Sequence, residues 1–423
     1  MSESIALVHP KSTFLTDPMI WPPLGLWYLA AQLEAQGHEV EFYDLNMSEL
    51  PNDGKHSQLW LSATSAQMYE VRKISTKTKK WEITKIVFGG SAVWADPQSA
   101  SGLFDVKVVG EGDHPDTIRD VLTLENTFND AIYYHSKVSK SLDWVLPPIR
   151  RWSLDYHAYM SDQDGNEYRM ASLFTTRGCP FNCAFCESGR NGVIWNKYVR
   201  YEPFWCIEHQ IKECKELGFT GLAYYDDVFI LNKKHALGLL ELNKKYDMKW
   251  RCFLRSDLAV KHGFDFLQKM RDSGLIEVFV GVESADNQIK ENIHKGTTIE
   301  QDAKVLAWCK MLGIRCKMSF ILGLPGESMT SMRKTRKWIL EHQPDIVQID
   351  RMIPFPGTPL TKHPEKYDLK YETVPDAKWF FCGKGGSGKS FVSTSHLLAD
   401  EISLFLSAFT KELHKEGLST YDH

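Results

Sequence analysis

The chain has 423 residues, enough for two or three domains around a large buried core. Its 50 Lys and Arg against 54 Asp and Glu leave no basic footprint of the kind that nucleic acid demands. No stretch reads as about 18 consecutive apolar residues, and the first ten residues carry neither a charged leader nor an apolar core, which disfavours a membrane span and a secretory signal. Nine cysteines, an odd number, then suit a reducing cytoplasm. Residues 1–145 alternate short apolar runs with helical patterns. Strands are predicted at 5–8, 40–44, 59–62, 86–90 and 106–110, and a helix at 23–36, where Leu24, Leu26, Leu29, Ala30 and Leu33 recur at helical spacing before Gly37. Such alternation predicts a parallel sheet wound by right-handed crossovers. Gly89, Gly90, Gly110 and Gly112 follow strands, where open α/β sheets place their ligands.

Residues 146–169, first proline-bearing and then polar, read as a linker. Six strand patterns follow between residues 170 and 358, at 173–176, 221–226, 250–254, 277–281, 316–322 and 346–350. All but the last are trailed by a helical pattern. Repeated β/α units predict a partial parallel barrel with its chemistry at the carboxyl ends of the strands. The first strand leads into Cys179, Cys183 and Cys186, spaced C-x3-C-x2-C. Three thiolates at short spacing suit zinc or an iron-sulfur cluster, but a closed zinc site wants four ligands and no second C-x-x-C is present. The triad therefore reads as a metal site with one position left for a ligand from outside the protein. The other strand ends carry Asp226 and Asp227, then Arg255, then Glu283 and Ser284, then Gly323 to Glu327, and finally residues 354–358.

The cysteine loop resembles that of radical S-adenosylmethionine (SAM) enzymes. In that family three thiolates hold three irons of a [4Fe-4S] cluster, and the amino and carboxylate groups of SAM chelate the fourth. The resemblance implies cluster ligation by Cys179, Cys183 and Cys186, and an adenine contact through the backbone of Phe185. It implies contact with the SAM ammonium by Asp226 and Asp227, although the family more often has Gly-Gly-Glu there. Arg255, with Arg251 as an alternative, would pair with the SAM carboxylate; Glu283 and Ser284 would meet the ribose, and Gly323 would flank the adenine. The segment from Pro22 to Ala31, with Gly37, Asp44, Gly89, Gly90 and the Gly-Glu-Gly-Asp run ending at Asp113, resembles the cobalamin-binding domain that precedes the barrel in one large subfamily. The Asp-x-His-x-x-Gly signature that gives cobalt a histidine is absent, so cobalamin would bind without one.

Residues 383–390 satisfy G-x4-G-K-[ST], the phosphate-cradling pattern. That mechanism needs a helix directly after the loop, whereas Phe391 to Thr394 favour a strand and only 33 residues remain after Ser390. A hairpin loop is expected, within a substrate-facing or capping region at 359–423. Taken together, the resemblance implies a cytoplasmic enzyme that forms a 5′-deoxyadenosyl radical and methylates an unactivated carbon with cobalamin. Rearrangement or oxidation without methyl transfer is the alternative on the same scaffold; a P-loop ATPase and a non-catalytic cobalamin sensor are the alternatives of other kinds. A flavodoxin or ferredoxin would supply the electron, and the substrate would be a small molecule or a peptide. Trp195, Trp379, Phe380 and Phe381 are candidate pocket residues.

Overall fold

The structure, a computed structural model, describes all residues except 1, 52–53, 80, 82, 125–131, 137, 189–197, 372–388 and 421–423. Two sheets dominate it. The first contains β1 (Ser4–His9), β2 (Glu39–Asp44), β3 (Gln58–Ser62), β4 (Lys85–Gly89), β5 (Val106–Val109) and β6 (Ile132–His135), all parallel, in the order β2-β1-β3-β4-β5-β6. The central strand shows why this sequence builds a covered sheet. Ile5 and Leu7 pack with Leu26, Ala30 and Leu33 of the helix Leu24–Ala35, whereas Ala6 and Val8 pack on the other face with Val71 and Ile74 of the helix Met68–Thr78. With both faces buried, the strand is a continuous apolar run. The chain reverses direction across the sheet between β1 and β3, and a crevice opens there at the carboxyl ends.

The second sheet is curled. Its order is β16-β15-β14-β13-β12-β11-β8-β7, from β7 (Tyr159–Ser161), β8 (Glu167–Leu173), β11 (Gly221–Tyr224), β12 (Lys249–Leu254), β13 (Leu275–Glu283), β14 (Arg315–Leu322), β15 (Ile346–Arg351) and β16 (Ser419–Thr420). Strands β8 and β11 to β15 are six successive parallel neighbours, the partial barrel expected from the sequence. Alternation sorts their side chains. Leu222, Tyr224, Trp250, Cys252, Leu254, Val278 and Val280 join the core with the outer helices, and Arg251, Phe253, Phe279 and Lys317 touch one another on the inner face. A small antiparallel pair, β9 (Thr176–Arg177) and β10 (Arg200–Tyr201), closes the base of the cysteine loop.

Besides the short strands β10 and β16, three features depart from the sequence reading. Strand β6 was not anticipated, because Ile132, Tyr133 and Tyr134 are only half-buried at a sheet edge. The stretch 146–169 holds a hairpin: β7 pairs with the start of β8 around a turn in which Asp162 accepts from Asp164 N, Asn166 N and Tyr168 Oη. Consequently β8 begins at Glu167, six residues before the expected start, and ends where that expectation placed its beginning.

Candidate functional site

The cysteine loop leaves β9 and runs along the mouth of the barrel. Cys179 and Cys183 are buried and Cys186 is half-buried, all as free thiols. Burial pushes the Cys179 thiol up to about 11 and the Cys186 thiol up to about 12; Asp227 and the neighbouring thiols add to both. Arg255, at the end of β12, answers this accumulation. Its Nη1 lies 3.8 Å from Cys183 Sγ and its guanidinium stacks 3.5 Å from the Phe181 ring. Asp257 (3.1 and 3.2 Å) and the carbonyl of Lys295 (2.7 Å) fix its orientation. Arg251, four residues earlier on the same face, lies deeper in the barrel beside Glu277 (3.4 Å), so the sequence alternatives separate by depth.

Glu283 ends β13 with φ +68°, where the register shifts against β14. A non-glycine residue in the left-handed region stores strain, and such outliers gather at functional sites. Lys295 holds it there through a 2.6 Å ion pair, buried on both sides. Gly281 makes room, since a Cβ at that position would lie 2.4 Å from Glu283 Oε1 and 2.8 Å from Lys295 Nζ. Phe185 packs in one apolar cluster with Leu324, next to Gly323.

The paired acids divide in role. Asp226 is spent on structure: its carboxylate accepts from Thr175 N (2.7 Å), Thr176 N (2.8 Å) and Thr175 Oγ1 (2.5 Å), tying the end of β11 to the end of β8. Asp227 lines the cavity described below, and burial pushes its carboxyl up to about 6. The ammonium contact expected of both thus remains open to Asp227 alone. Ser284 is committed likewise. Its hydroxyl is fully buried, accepts from Asp286 N and meets Thr335 on the helix Met329–His342, away from the barrel mouth.

A cavity of about 560 Å³ lies between the two sheets. On one side are the ends of β3, β4 and β5, with Thr64, Gly90 and Gly112; on the other are Gly178, Glu187, Ser188 and Asp227. Gly90 is required by backbone packing: at φ +95° its Cβ would lie 2.6 Å from Ala63 O. Burial pushes the Glu187 carboxyl up to about 7, and Ser65 of the first sheet donates to it at 3.2 Å. Arg177 spans the same gap. It is bidentate to Asp113 (3.0 and 2.6 Å), lies 3.6 Å from Glu111, and is flanked by Tyr28 and Trp144 at 5.5 and 5.3 Å. Despite burial, which opposes charge, these carboxylates hold the guanidinium above its usual pKa. Lys295, Glu187 and the Arg177 clamp escaped the sequence reading because their partners are remote in sequence; Arg177 and Asp113 are 64 positions apart.

The phosphate-loop pattern does not assemble where it is described. Residues 383–388, with Trp195, Trp379, Phe380 and Phe381, lie outside the described residues. Ser390 is buried and donates to Val392 O, the Lys389 side chain is exposed, and the next helix starts only at Ala399. No helix N-terminus therefore stands behind Lys389 and Ser390.

A covered α/β sheet facing a half-barrel across a shared cavity, with three thiols on the first barrel loop, defines the class of a two-domain cofactor enzyme. Residues 173–339 match the radical SAM superfamily and residues 11–118 match the B12-binding domain. The chain is a radical SAM enzyme with an N-terminal B12-binding domain. It is 27% identical to an uncharacterised methyltransferase of Pyrococcus horikoshii, covering 81% of this chain and 78% of that protein. It is 22% identical to the hopanoid C-3 methylase of Methylococcus capsulatus, covering 83% and 70%. The structure of the radical SAM methyltransferase TsrM from Kitasatospora setae, with cobalamin and a [4Fe-4S] cluster bound, shares the fold with a TM-score of 0.68 at 17% identity, over 88% of this chain and 81% of that one. Among the described residues no helix is long and apolar enough to cross a membrane.

Proposed function

We propose that this enzyme is a cobalamin-dependent radical SAM methyltransferase acting on an unactivated carbon, with the cluster on Cys179, Cys183 and Cys186 and cobalamin between the two sheets. The observation that carries the reading is the shared cavity, which brings the ligand crevice of the first sheet and the cysteine loop of the barrel to one space. The donor set also fits. It is all thiolate, and among the described residues no three His, Cys, Asp or Glu converge as a single metal ion would need, whereas a cuboidal cluster meets each thiolate at a different iron. The protons that burial keeps on Cys179 and Cys186 would leave when metal binds.

When bound, the cluster and SAM supply a carbon-centred radical and cobalamin supplies the methyl group. The chain's own residues orient and shield. Arg255 offers a fixed cation beside Cys183 for a carboxylate, Asp227 offers an acid for an ammonium, and Glu283 offers a strained, buried acceptor for hydroxyls. The apolar walls of the cavity, Leu29, Trp60 and Trp94 among them, exclude water and stray hydrogen donors. We assign residues 1–145 to the B12-binding unit and 170–358 to the barrel, joined by 146–169. We assign residues 359–423 to a capping region; within it Ile402 and Leu406 pack on Leu322 at the end of β14. A flavodoxin or ferredoxin in the cytoplasm is the proposed electron source.

Anaerobic reconstitution with iron, sulfide and hydroxocobalamin, followed by reduction, tests this. We expect 5′-deoxyadenosine from SAM in the wild type and none in Cys183→Ala. Undiminished SAM cleavage in that variant would overturn the cluster assignment, and failure to retain corrinoid through gel filtration would overturn the cobalamin assignment.

A further inference from the structure

A second buried ion pair stands behind Arg255 and Glu283. Lys290, on the helix Asn287–Asn292, pairs with Asp302, on the helix Ile299–Leu312; both side chains are buried, and neither lines the shared cavity. Each end of the pair is bonded beside a residue of the barrel mouth. Asp302 Oδ1 accepts from Ser256 Oγ at 2.5 Å, and Ser256, the first residue of the helix Ser256–His262, follows Arg255 directly. Lys290 Nζ donates to Thr297 Oγ1 at 3.2 Å, and the Lys290 carbonyl accepts from Lys295 N at 2.9 Å. Lys295 in turn holds Glu283 with its ammonium and Arg255 with its carbonyl. The same turn reaches the cysteine loop, where Ala184 N donates to Ile293 O at 2.9 Å.

Stability alone does not call for charge at this place. An apolar pair of similar volume often fills such a site as well or better, because two desolvated ions recover their cost only through good geometry and further hydrogen bonds. What the ions add is direction. Their bonds to each other, to Ser256 and to Thr297 set the start of one helix, the body of a second and the turn at 293–297 at fixed separations, which apolar contacts do not specify. Groups that grip a ligand lose much of their effect when displaced by about 1 Å.

We propose that Lys290 and Asp302 are positioning residues for SAM, acting through Ser256 on Arg255 and through the Lys295 turn on Glu283. The inference rests on Arg255 and Glu283 being SAM contacts.

Equilibrium dialysis of the full chain against SAM, after anaerobic reconstitution of the cluster, tests it beside iron content, hydroxocobalamin retention and Tm. The variants are Lys290→Met, Asp302→Val and the two combined. The double variant should melt above both single variants, since it leaves no buried charge unpaired. All three should bind SAM at least about tenfold more weakly, with wild-type iron and corrinoid. Ser256→Ala keeps both charges and should weaken SAM about three- to tenfold. SAM affinity that recovers together with Tm in the double variant would overturn the inference, because a pair that only packs helices acts through stability. Should no variant of the pair fold, unchanged SAM affinity in Ser256→Ala overturns it. Arg255→Lys and Glu283→Gln separate the inference from its premise. If both bind SAM as tightly as the wild type, the contacts and the route through them fall together. If both bind weakly while the double variant binds normally, the positioning role alone falls.

Discussion

Glu327 is wholly buried, and only half of its carboxyl is satisfied. Oε2 accepts from Gly323 N at 2.6 Å and from Leu324 N at 3.3 Å, while Oε1 has no partner. Burial pushes the group up to about 8 against those two bonds. The sign of the linkage follows. Above an ordinary carboxyl pKa of 4.5 the unfolded chain releases this proton while the folded chain keeps it, so stability falls as pH rises until about 8, and then levels. The full interval is worth at most about 5 kcal/mol. Gln offers the same acceptor to Gly323 and Leu324 without a titrating proton. Glu327→Gln should therefore raise Tm at pH 8 and remove most of the decline between pH 5 and 8, as calorimetry across that range would record. A parallel decline in both proteins would assign the effect elsewhere.

At the scale of elements, the turn after β14 and the C-terminal helix Ala399–Lys415 are fitted to each other. Gly323 has φ +84°, and a Cβ there would lie 2.8 Å from Ile402 Cδ1, the tip of a buried side chain on that helix. Gly323→Ala combines backbone strain with overpacking, for an expected loss of about 2–4 kcal/mol in urea denaturation. Ile402→Val deletes the obstructing methyl and alone costs about 1 kcal/mol. The double variant should thus be more stable than the sum of the singles predicts, because only the backbone strain then remains. Elements of this kind also show where the sequence was readable. Strands β1 and β3 to β5 announced themselves because burial on both faces leaves short, largely apolar runs, the barrel strands because apolar residues alternate along them before a polar or glycine-rich end, and the cysteine spacing is a local pattern. The hairpin of β7 and β8 and the edge strand β6 are half-solvated and carry no such run. Asp226 and Asp227 looked alike in sequence, since only the return of β8 beside β11 decides which of them is consumed by Thr175 and Thr176.

For the molecule as a whole, the base of the cysteine loop is tied to the first sheet by buried ion pairs. Arg177 is bidentate to Asp113, and Arg200, its neighbour across β9 and β10, pairs with Glu111 at 2.6 Å. The cysteine loop and the turn after β5 therefore share one buried charge network. Ser65 to Glu187 at 3.2 Å and Tyr156 to Asp44 at 2.5 Å add further ties between the sheets. Removing one partner of a buried pair strands the other in a medium that cannot solvate it, at about 3–5 kcal/mol. Arg177→Gln should cost this much, and Asp113→Asn nearly as much. The double variant should recover at least about 1 kcal/mol of their sum, a coupling typical of directly contacting residues. Because the network joins the sheets, the loss should appear as a separate, earlier unfolding step in Arg177→Gln, accompanied by a change in tryptophan emission as Trp144 loses its guanidinium neighbour. Retained hydroxocobalamin should fall in the same variant, since the Gly110 to Asp113 turn that lines the cavity is released together with the clamp. If the sheets were independent bodies in contact, both variants would unfold at the wild-type denaturant concentration and hold corrinoid as well as the parent does.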